Sequence, residues 1–410
     1  MKILLIHQYF LEEDDPGGSR FNEMVKLWNA EGHDITVLAG MMHYSAHGKR
    51  PEYKGKWVVK KKQGNVTVWR TQVSESYNRS FIGRLWAYFS FVFSSLYAGI
   101  FKVDRNYDII IVTSPPLFVG VSGYILSKLK KTPFIFEVRD LWPESAIDTG
   151  VLKSKLLIRL AYNFESFIYK KAKLINVLTP AFRTSLIEKG VDENKIIFIP
   201  NASDFSLSDT LLNNFNAENW RRAHGHTGKF VITYVGAHGV ANHLKQLIDV
   251  AIDLRESPVV FQLIGDGMAK RELQNLVSKK SIQNIEFVDS VPKSEVFKYI
   301  LGSDMGASVL KKADTFKTIY SNKTFDYMAC KKPVLMLIDG ISRQLVEEAR
   351  CGFYAEPENT EQIVNVIKSI LNNENELREM GNNGYSHAKA NFDRHKLAKK
   401  YITEIKEALV

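Results

Sequence analysis

A chain of 410 residues with 45% apolar and 24% charged side chains has too much to bury for one ordinary core and too little bias for a fibrous or disordered chain, so it suits two globular domains. No low-complexity tract or solenoid-length repeat is present. The formal charge of +10 is uneven: residues 1–185 hold 26 Lys and Arg against 16 Asp and Glu, which is the whole surplus, and the remainder is neutral. That division predicts one half facing an anionic surface and another binding a small solute.

The opening Ile3 to Ile6 is too short for a secretory core and reads as a first buried strand. With only Cys330 and Cys351 in the chain, this points to a reducing cytoplasm. The acidic run Glu12-Glu13-Asp14-Asp15 reads as a solvated loop rather than a cation site. The turn Pro16-Gly17-Gly18-Ser19-Arg20 then leads into a helix ending at Gly32. Two glycines let backbone N–H groups approach an anion and the helix dipole favours it, although a plain tight turn competes. The dinucleotide fingerprint G-x-G-x-x-G is absent, which weighs against a dehydrogenase.

Further strands are expected at Ile35 to Leu38, Val66 to Trp69, Ile109 to Val112, Phe134 to Phe136, Leu174 to Val177 and Ile196 to Ile199. The basic cluster Lys54, Lys56, Lys60, Lys61 and Lys62 reads as a solvated hairpin, though nucleic acid or acidic lipid would also suit it. Leu85 to Phe101 is uncharged over seventeen residues, short of the roughly twenty that span a bilayer. Ala87, Ser90, Ser94 and Ala98 recur at helical spacing, and Trp86, Tyr88, Phe89, Phe91, Phe93 and Tyr97 fill the rest. The pattern predicts a helix partly in the core and partly in a membrane interface, against the alternative of a wholly buried helix. At a strand end, Glu137, Arg139, Asp140 and Glu144 put three carboxylates and a guanidinium within nine positions. Buried without partners they would be costly, so they must meet one another or a ligand. Arg139 is a candidate to stabilise a leaving diphosphate, and Asp140 or Glu144 to orient or deprotonate an acceptor hydroxyl; a structural network is the competing reading.

Residues 206–228, rich in Asn, Asp and Ser, are read as a linker. The second half repeats the strand–helix alternation, with strands at Val231 to Val235, Val259 to Ile264, Ile285 to Phe287, Met305 to Val309, Val334 to Ile338 and Gly352 to Tyr354. The fold class is therefore α/β, two Rossmann-like doubly wound parallel-sheet domains facing across a cleft. Gly236-Ala237-His238-Gly239 follows the first strand of this half as Gly17-Gly18 follows that of the first, and His238 is a candidate phosphate or sugar contact. Lys245 lies further along and either joins it or solvates a helix; Gly265-Asp266-Gly267 forms another turn at the same rim, chosen for backbone geometry. In Ser321-Asn322-Lys323-Thr324-Phe325-Asp326, a cation at a helix start and a carboxylate three residues on suit a nucleotide diphosphate. Lys323 would meet phosphate and Asp326 the ribose hydroxyls, with Ser321 or Asn322 as cap. An ordinary surface ion pair is the alternative. No D-x-D triplet or metal-spaced Cys/His cluster occurs, so metal-independent chemistry is expected. Residues 393–410 read as an amphipathic helix with Leu397, Tyr401, Ile405 and Leu409 on one face.

The order and spacing of Pro16-Gly17-Gly18-Ser19-Arg20, Gly32-His33, Arg139 to Ser145, Pro200-Asn201, Gly236 to Gly239, Gly265 to Gly267 and Asn322 to Tyr327 resemble the retaining nucleotide-sugar glycosyltransferases of the GT-B architecture, family four, over essentially the full length. The chain is most similar to the bacterial branch that builds surface polysaccharides, including N-acetyl-L-fucosaminyltransferases. The resemblance implies an acceptor-side domain over 1–205, a nucleotide-sugar domain over 229–392 and a final helix packing back on the first. It implies a UDP-sugar donor held by Gly17, Gly18, Arg20, Gly236, His238, Gly239, Lys245, Gly265, Val291, Asn322, Lys323 and Asp326. It further implies a lipid-linked saccharide acceptor at the inner face of the cytoplasmic membrane, in capsule or O-antigen synthesis, and no nucleic-acid partner. Two departures stand out: Thr318 and Asp326 occupy the family's paired Glu positions, and Arg139-Asp140 stand where relatives carry a catalytic His. A UDP-sugar 2-epimerase of the same architecture and a non-enzymatic basic binding protein are the rival readings.

Overall fold

The computed structural model describes residues 1–13, 15, 20–42, 48–76, 81–148 and 152–409, in two compact units. The first takes in residues 20–200 together with 1–15 and 397–409, the second residues 201–396.

In the first unit the strands are β1 (Lys2–Ile6), β2 (Asp34–Gly40), β3 (Val58–Gln63), β4 (Val66–Thr71), β5 (Ile109–Thr113), β6 (Phe134–Val138), β7 (Leu174–Val177) and β8 (Ile196–Phe198). They lie in the order β3-β4-β2-β1-β5-β6-β7-β8, parallel except for β3, which pairs antiparallel with β4. Ile3 sits between Ile35 and Ile109 in register. Helices α1 (Arg20–Ala30), α2 (Phe81–Phe101), α3 (Val119–Lys130), α4 (Glu144–Asp148), α5 (Lys155–Lys171) and α6 (Pro180–Glu188) supply the crossovers. With helices on the faces of the sheet, the central strands are buried on both sides and read as unbroken apolar runs. The expected basic hairpin is β3–β4; Lys61 lies 4.7 Å over the Tyr53 ring and pairs with Glu52 at 3.3 Å. Glu12, expected in a solvated loop, is buried against Arg70 at 3.0 Å, and Asp15 meets Arg50 at 2.5 Å. A burial of this kind holds only because each carboxylate has its guanidinium.

The second unit holds α7 (Phe205–Asn214), α8 (Ala217–Ala223), β9 (Phe230–Val235), α9 (Lys245–Asp253), β10 (Val259–Ile264), α10 (Lys270–Lys279), β11 (Ile285–Val288), α11 (Lys293–Gly302), β12 (Met305–Val309), α12 (Asn322–Ala329), β13 (Val334–Leu337), α13 (Ile341–Glu348), β14 (Gly352–Tyr354), α14 (Thr360–Ile370) and α15 (Glu374–Asn391). Its sheet, ordered β11-β10-β9-β12-β13-β14, is wholly parallel. Alternation along β13 shows why both faces are apolar: Leu335 and Leu337 enter one core cluster, Val334 and Met336 the other.

The stretch 206–228 is not an irregular linker. It carries α7 and α8, and Phe205 is buried in the second unit's core with Phe297 and Phe325. Asp204 caps α7 through the amides of Ser206 and Leu207, and Asn216 caps α8 through Asn219.

A last helix, α16 (Arg394–Leu409), runs from the second unit into the first. Within the first unit, the Trp28 indole donates to the Ala398 carbonyl at 2.9 Å and its ring meets Tyr401 edge-on at 5.6 Å. Among the described residues no helix is long and apolar enough to cross a membrane.

Candidate functional site

In the second unit, β9 and β10 both end in turns that pack backbone on backbone. Gly236 donates to the Ile264 carbonyl at 2.9 Å, Gly265 to Val288 at 3.0 Å, and His238 to Asp266 at 2.8 Å. Gly236, Gly265 and Gly267 have φ of +140°, +139° and +155°. A Cβ on Gly265 would lie 2.0 Å from the Gly236 carbonyl oxygen, and one on Gly267 2.6 Å from that of His238. The glycines are thus required by geometry and by space.

Into this corner comes the start of α12. Ser321 is its N-cap residue without a capping side-chain bond, Asn322 is the exposed first helical residue, and Lys323 is the second. The Lys323 stem covers Gly236, where an added Cβ would meet Cε at 3.2 Å, and Nζ lies 4.9 Å over the Tyr234 ring. Its hydrogen bond is a long one to Ser321 Oγ at 3.4 Å, and no carboxylate among the described residues pairs with it. A small part of the side chain reaches the surface, yet protein surrounds the ammonium, and desolvation alone lowers its pKa to about 8. Two features anchor this helix end. The Tyr327 hydroxyl accepts from the Val235 amide at 3.0 Å and donates to the Ala307 carbonyl at 3.1 Å, while Thr324 and Ser308 hydroxyls bond at 2.7 Å. The cation's position is therefore fixed by β9 and β12.

His238 is fully enclosed, its ring centred 6.1 Å from both Tyr234 and Phe287, and among the described residues neither ring nitrogen has a partner at full hydrogen-bond geometry. Burial first, then the Lys270 cation, lower its pKa to about 4, with Asp266 and the Ile264 backbone opposing. The ring is consequently neutral at pH 7, with one N–H and one lone pair on offer. Lys270 is itself tied to the Gly265 carbonyl at 2.8 Å and to Asp289 at 2.6 Å. One turn along α12, Asp326 Oδ1 accepts from the Ser203 hydroxyl at 2.6 Å, with Lys293 Nζ at 3.9 Å.

His238, Gly236, Gly265, Lys323 and, a turn away, Asp326 are thus brought together, and Gly239 begins the next turn of the same loop. Val291 is half-buried in the loop between β11 and α11. Lys245 is not part of the group: it is half-exposed on α9 and pairs with Asp249 at 2.6 Å. Gly17 and Gly18 lie outside the described residues.

In the first unit, Arg20 is turned to packing instead of a ligand. Its Nε meets Glu137 at 2.9 Å and its two terminal nitrogens donate to the Ile199 and Pro200 carbonyls. Glu137 also accepts from Asn176 at 3.1 Å and is fully buried. The Arg139 amide donates to Ser114 Oγ at 3.3 Å; Asp140 accepts from Ser145 at 2.9 Å, and burial, then Glu144, raises its pKa. Glu144 pairs with Lys189 at 2.8 Å, which also holds Glu165 at 2.8 Å. The counter-charge for Glu144 therefore comes from Lys189, 45 positions away, a partner invisible in the local motif. Among the described residues no group of three or more His, Cys, Asp or Glu is placed to hold a metal ion.

Sequence reasoning missed Tyr234, Tyr327 and Ser203. Tyr327 carried a signal, since it stands four residues beyond Lys323 and so on the same helix face. Ser203 carried none.

Residues 17–202 match the family described as Glycosyl transferase 4-like domain, and residues 216–387 that described as Glycosyl transferases group 1. Among curated sequences, the chain is 23% identical to the protein named as a colanic acid biosynthesis glycosyl transferase, WcaI, of Escherichia coli, covering 99% of this chain and 100% of that one. It is 21% identical to the glycosyltransferase WbjE of Pseudomonas aeruginosa, covering 74% and 76%. Among solved structures, HepE of Anabaena in complex with UDP superposes with a TM-score of 0.71 at 17% identity, covering 99% and 100%. Sucrose-phosphate synthase of Thermosynechococcus elongatus gives 0.72 at 15%, covering 99% and 98%.

Proposed function

We propose that the chain, which is a glycosyltransferase of the two-domain GT-B class, moves a sugar from a UDP-sugar to a hydroxyl of a lipid-linked saccharide, with retention of anomeric configuration. The observation that carries the donor half is Lys323: a desolvated ammonium without a carboxylate, fixed against a glycine turn, is stabilised by an incoming diphosphate. The helix start that bears it adds unpaired amides to the same anion. His238 offers a neutral N–H beside it, and Asp326 keeps a second oxygen for a ribose hydroxyl. That a relative of similar fold is solved with UDP agrees with this choice of nucleotide.

In this reading Lys323 and the turn amides stabilise the negative charge that grows on the diphosphate as its bond to the sugar breaks. The acceptor hydroxyl forms the new bond to the same carbon and gives its proton to a departing phosphate oxygen. No metal ion is needed for charge neutralisation at this step. Arg139, Asp140 and Glu144, at the end of β6 in the first unit, are assigned to the acceptor side; Asp140, with its raised pKa, is the member suited to exchange a proton.

The name of WcaI, a colanic acid biosynthesis glycosyl transferase, supports a place in surface polysaccharide synthesis; capsule or O-antigen synthesis at the inner face of the cytoplasmic membrane is part of the proposal. N-acetyl-L-fucosamine is the first donor sugar to try. The test is incubation of the purified chain with a panel of UDP-sugars and a lipid-linked acceptor. Transfer with retained configuration is expected, and absence of both transfer and UDP release would overturn the proposal. Turnover of donor without acceptor would instead favour an epimerase.

A further inference from the structure

We propose that the outer face of α2, α3 and α5 docks on an anionic lipid bilayer, which gives the membrane side of the reading above a defined surface and a lipid charge. On α2 the small residues face protein: Ala87, Ser94 and Ala98 are fully buried. The opposite side exposes Trp86 at 56%, Phe93 at 57% and Phe101 at 69%. The neighbouring helices continue the same character, with Leu156 at 67% and Leu160 at 54% on α5 and Leu129 at 61% on α3. A chain of rings makes the surface continuous: Phe89 of α2 lies 4.8 Å from Phe118, and Phe118 stacks 5.7 Å from Phe164 of α5. A soluble face of this size rarely stays apolar without a partner.

Charge selects the partner. Among the described residues of these three helices the one carboxylate is Glu165, which is buried and paired with Lys189. The exposed charges on these helices are all cations, Lys128, Lys155, Arg159, Lys170 and Lys171 among them. Two copies of this face would bring like charges together, and nucleic acid would leave the aromatic and leucine surface in water. Acidic headgroups over an acyl interior satisfy both parts at once. Trp and Tyr favour that boundary, and since no described helix can cross a bilayer, the face lies on it.

The full chain would be sedimented with vesicles of phosphatidylcholine alone and of phosphatidylcholine with phosphatidylglycerol, at low and high salt, beside the variant W86S/F93S/L160S. We expect partition onto the mixed vesicles to exceed that onto the neutral ones by about tenfold or more, and to fall as far in high salt and in the variant. All three positions are exposed, so the variant should keep the wild-type melting curve. Equal partition onto both vesicles, or a variant that sediments like wild type, would overturn the proposal. So would a lipid-free wild-type dimer that the variant converts to monomer. UDP titration in lipid-free buffer reads the donor site separately, so either reading can fail alone.

Discussion

The Ser203 hydroxyl donates to Asp326 Oδ1 at 2.6 Å, joining residues 123 positions apart within the second unit. Ser203 is held in turn by its amide on the Phe392 carbonyl at 3.1 Å and by the Arg394 amide on its own carbonyl at 3.1 Å. It therefore works as a positioning residue, fixing one carboxylate oxygen so that the other is aimed. Replacing Ser203 by Ala should weaken UDP binding about three- to tenfold, the worth of one hydrogen bond to a charged group shared between positions. The UDP affinity of Asp326→Ala should fall further, and the double variant should match Asp326→Ala alone. Titration calorimetry checks this; additive losses would place Ser203 outside the carboxylate's role.

Lys323 sets a pH dependence with a defined sign. Its folded pKa is depressed to about 8 from 10.5, so between those values the unfolded chain binds more protons and the ligand-free chain gains stability as pH rises. A bound diphosphate needs the charged amine, so affinity for UDP should be level from pH 7 to 8 and fall above it by up to about tenfold per unit. Lys323→Met should bind UDP about ten- to a hundredfold more weakly at pH 7, lose the pH dependence, and melt no lower than wild type. A large fall in its melting temperature would show that the ammonium is structural.

For His238 the depression to about 4 means a neutral ring throughout the usual range. The unfolded His takes a proton near 6.5 and the folded one does not, so stability present above 6.5 should be lost as pH falls toward 4. The proton resonances of this ring should show no inflection between pH 5 and 8. His238→Gln keeps an N–H and should bind UDP within a few-fold of wild type, whereas His238→Leu should lose about tenfold. Equal losses would mean that volume, not the donor, matters.

Most of the parallel strands were legible because they are buried runs rich in Val, Ile, Leu and Phe; β3 was legible only as part of a basic hairpin, since Lys60, Lys61 and Lys62 give it a polar text that its antiparallel pairing with β4 explains. The caps Asp204 and Asn216 did mark α7 and α8, but an Asn- and Ser-rich stretch hid their short apolar faces. At the candidate site, Lys323, His238 and the glycine turns after β9 and β10 could be singled out because helix starts and turns have local chemistry. Ser203 and the true neighbours of Arg20 could not, because tertiary hydrogen bonds across more than a hundred positions leave no spacing to read.

Addition of EDTA should leave the transfer rate unchanged if Lys323 and the turn amides carry the diphosphate charge as proposed. The check is initial rate with and without chelator, followed by addition of Mg²⁺. A rate that falls with EDTA and returns with Mg²⁺ would assign part of that charge to a metal.

Arg20 and Glu137 offer the sharpest separation of structure from function in the first unit. Both side chains are buried and their charges meet at 2.9 Å, so removing one leaves the other without its counter-charge. Glu137→Gln should therefore destabilise the chain by about 3 kcal/mol or more, and Arg20→Met by a similar amount through the freed Glu137 carboxylate and the abandoned Ile199 and Pro200 carbonyls. The double variant should recover part of the loss, since two neutral groups carry no ionic desolvation cost. UDP affinity at a temperature where each variant is folded should stay within a few-fold of wild type, because Arg20 spends its guanidinium on protein. A donor contact predicts the opposite pattern, with small changes in melting and a large loss of UDP affinity in Arg20→Met alone, and comparison of melting curves with calorimetric binding decides between them.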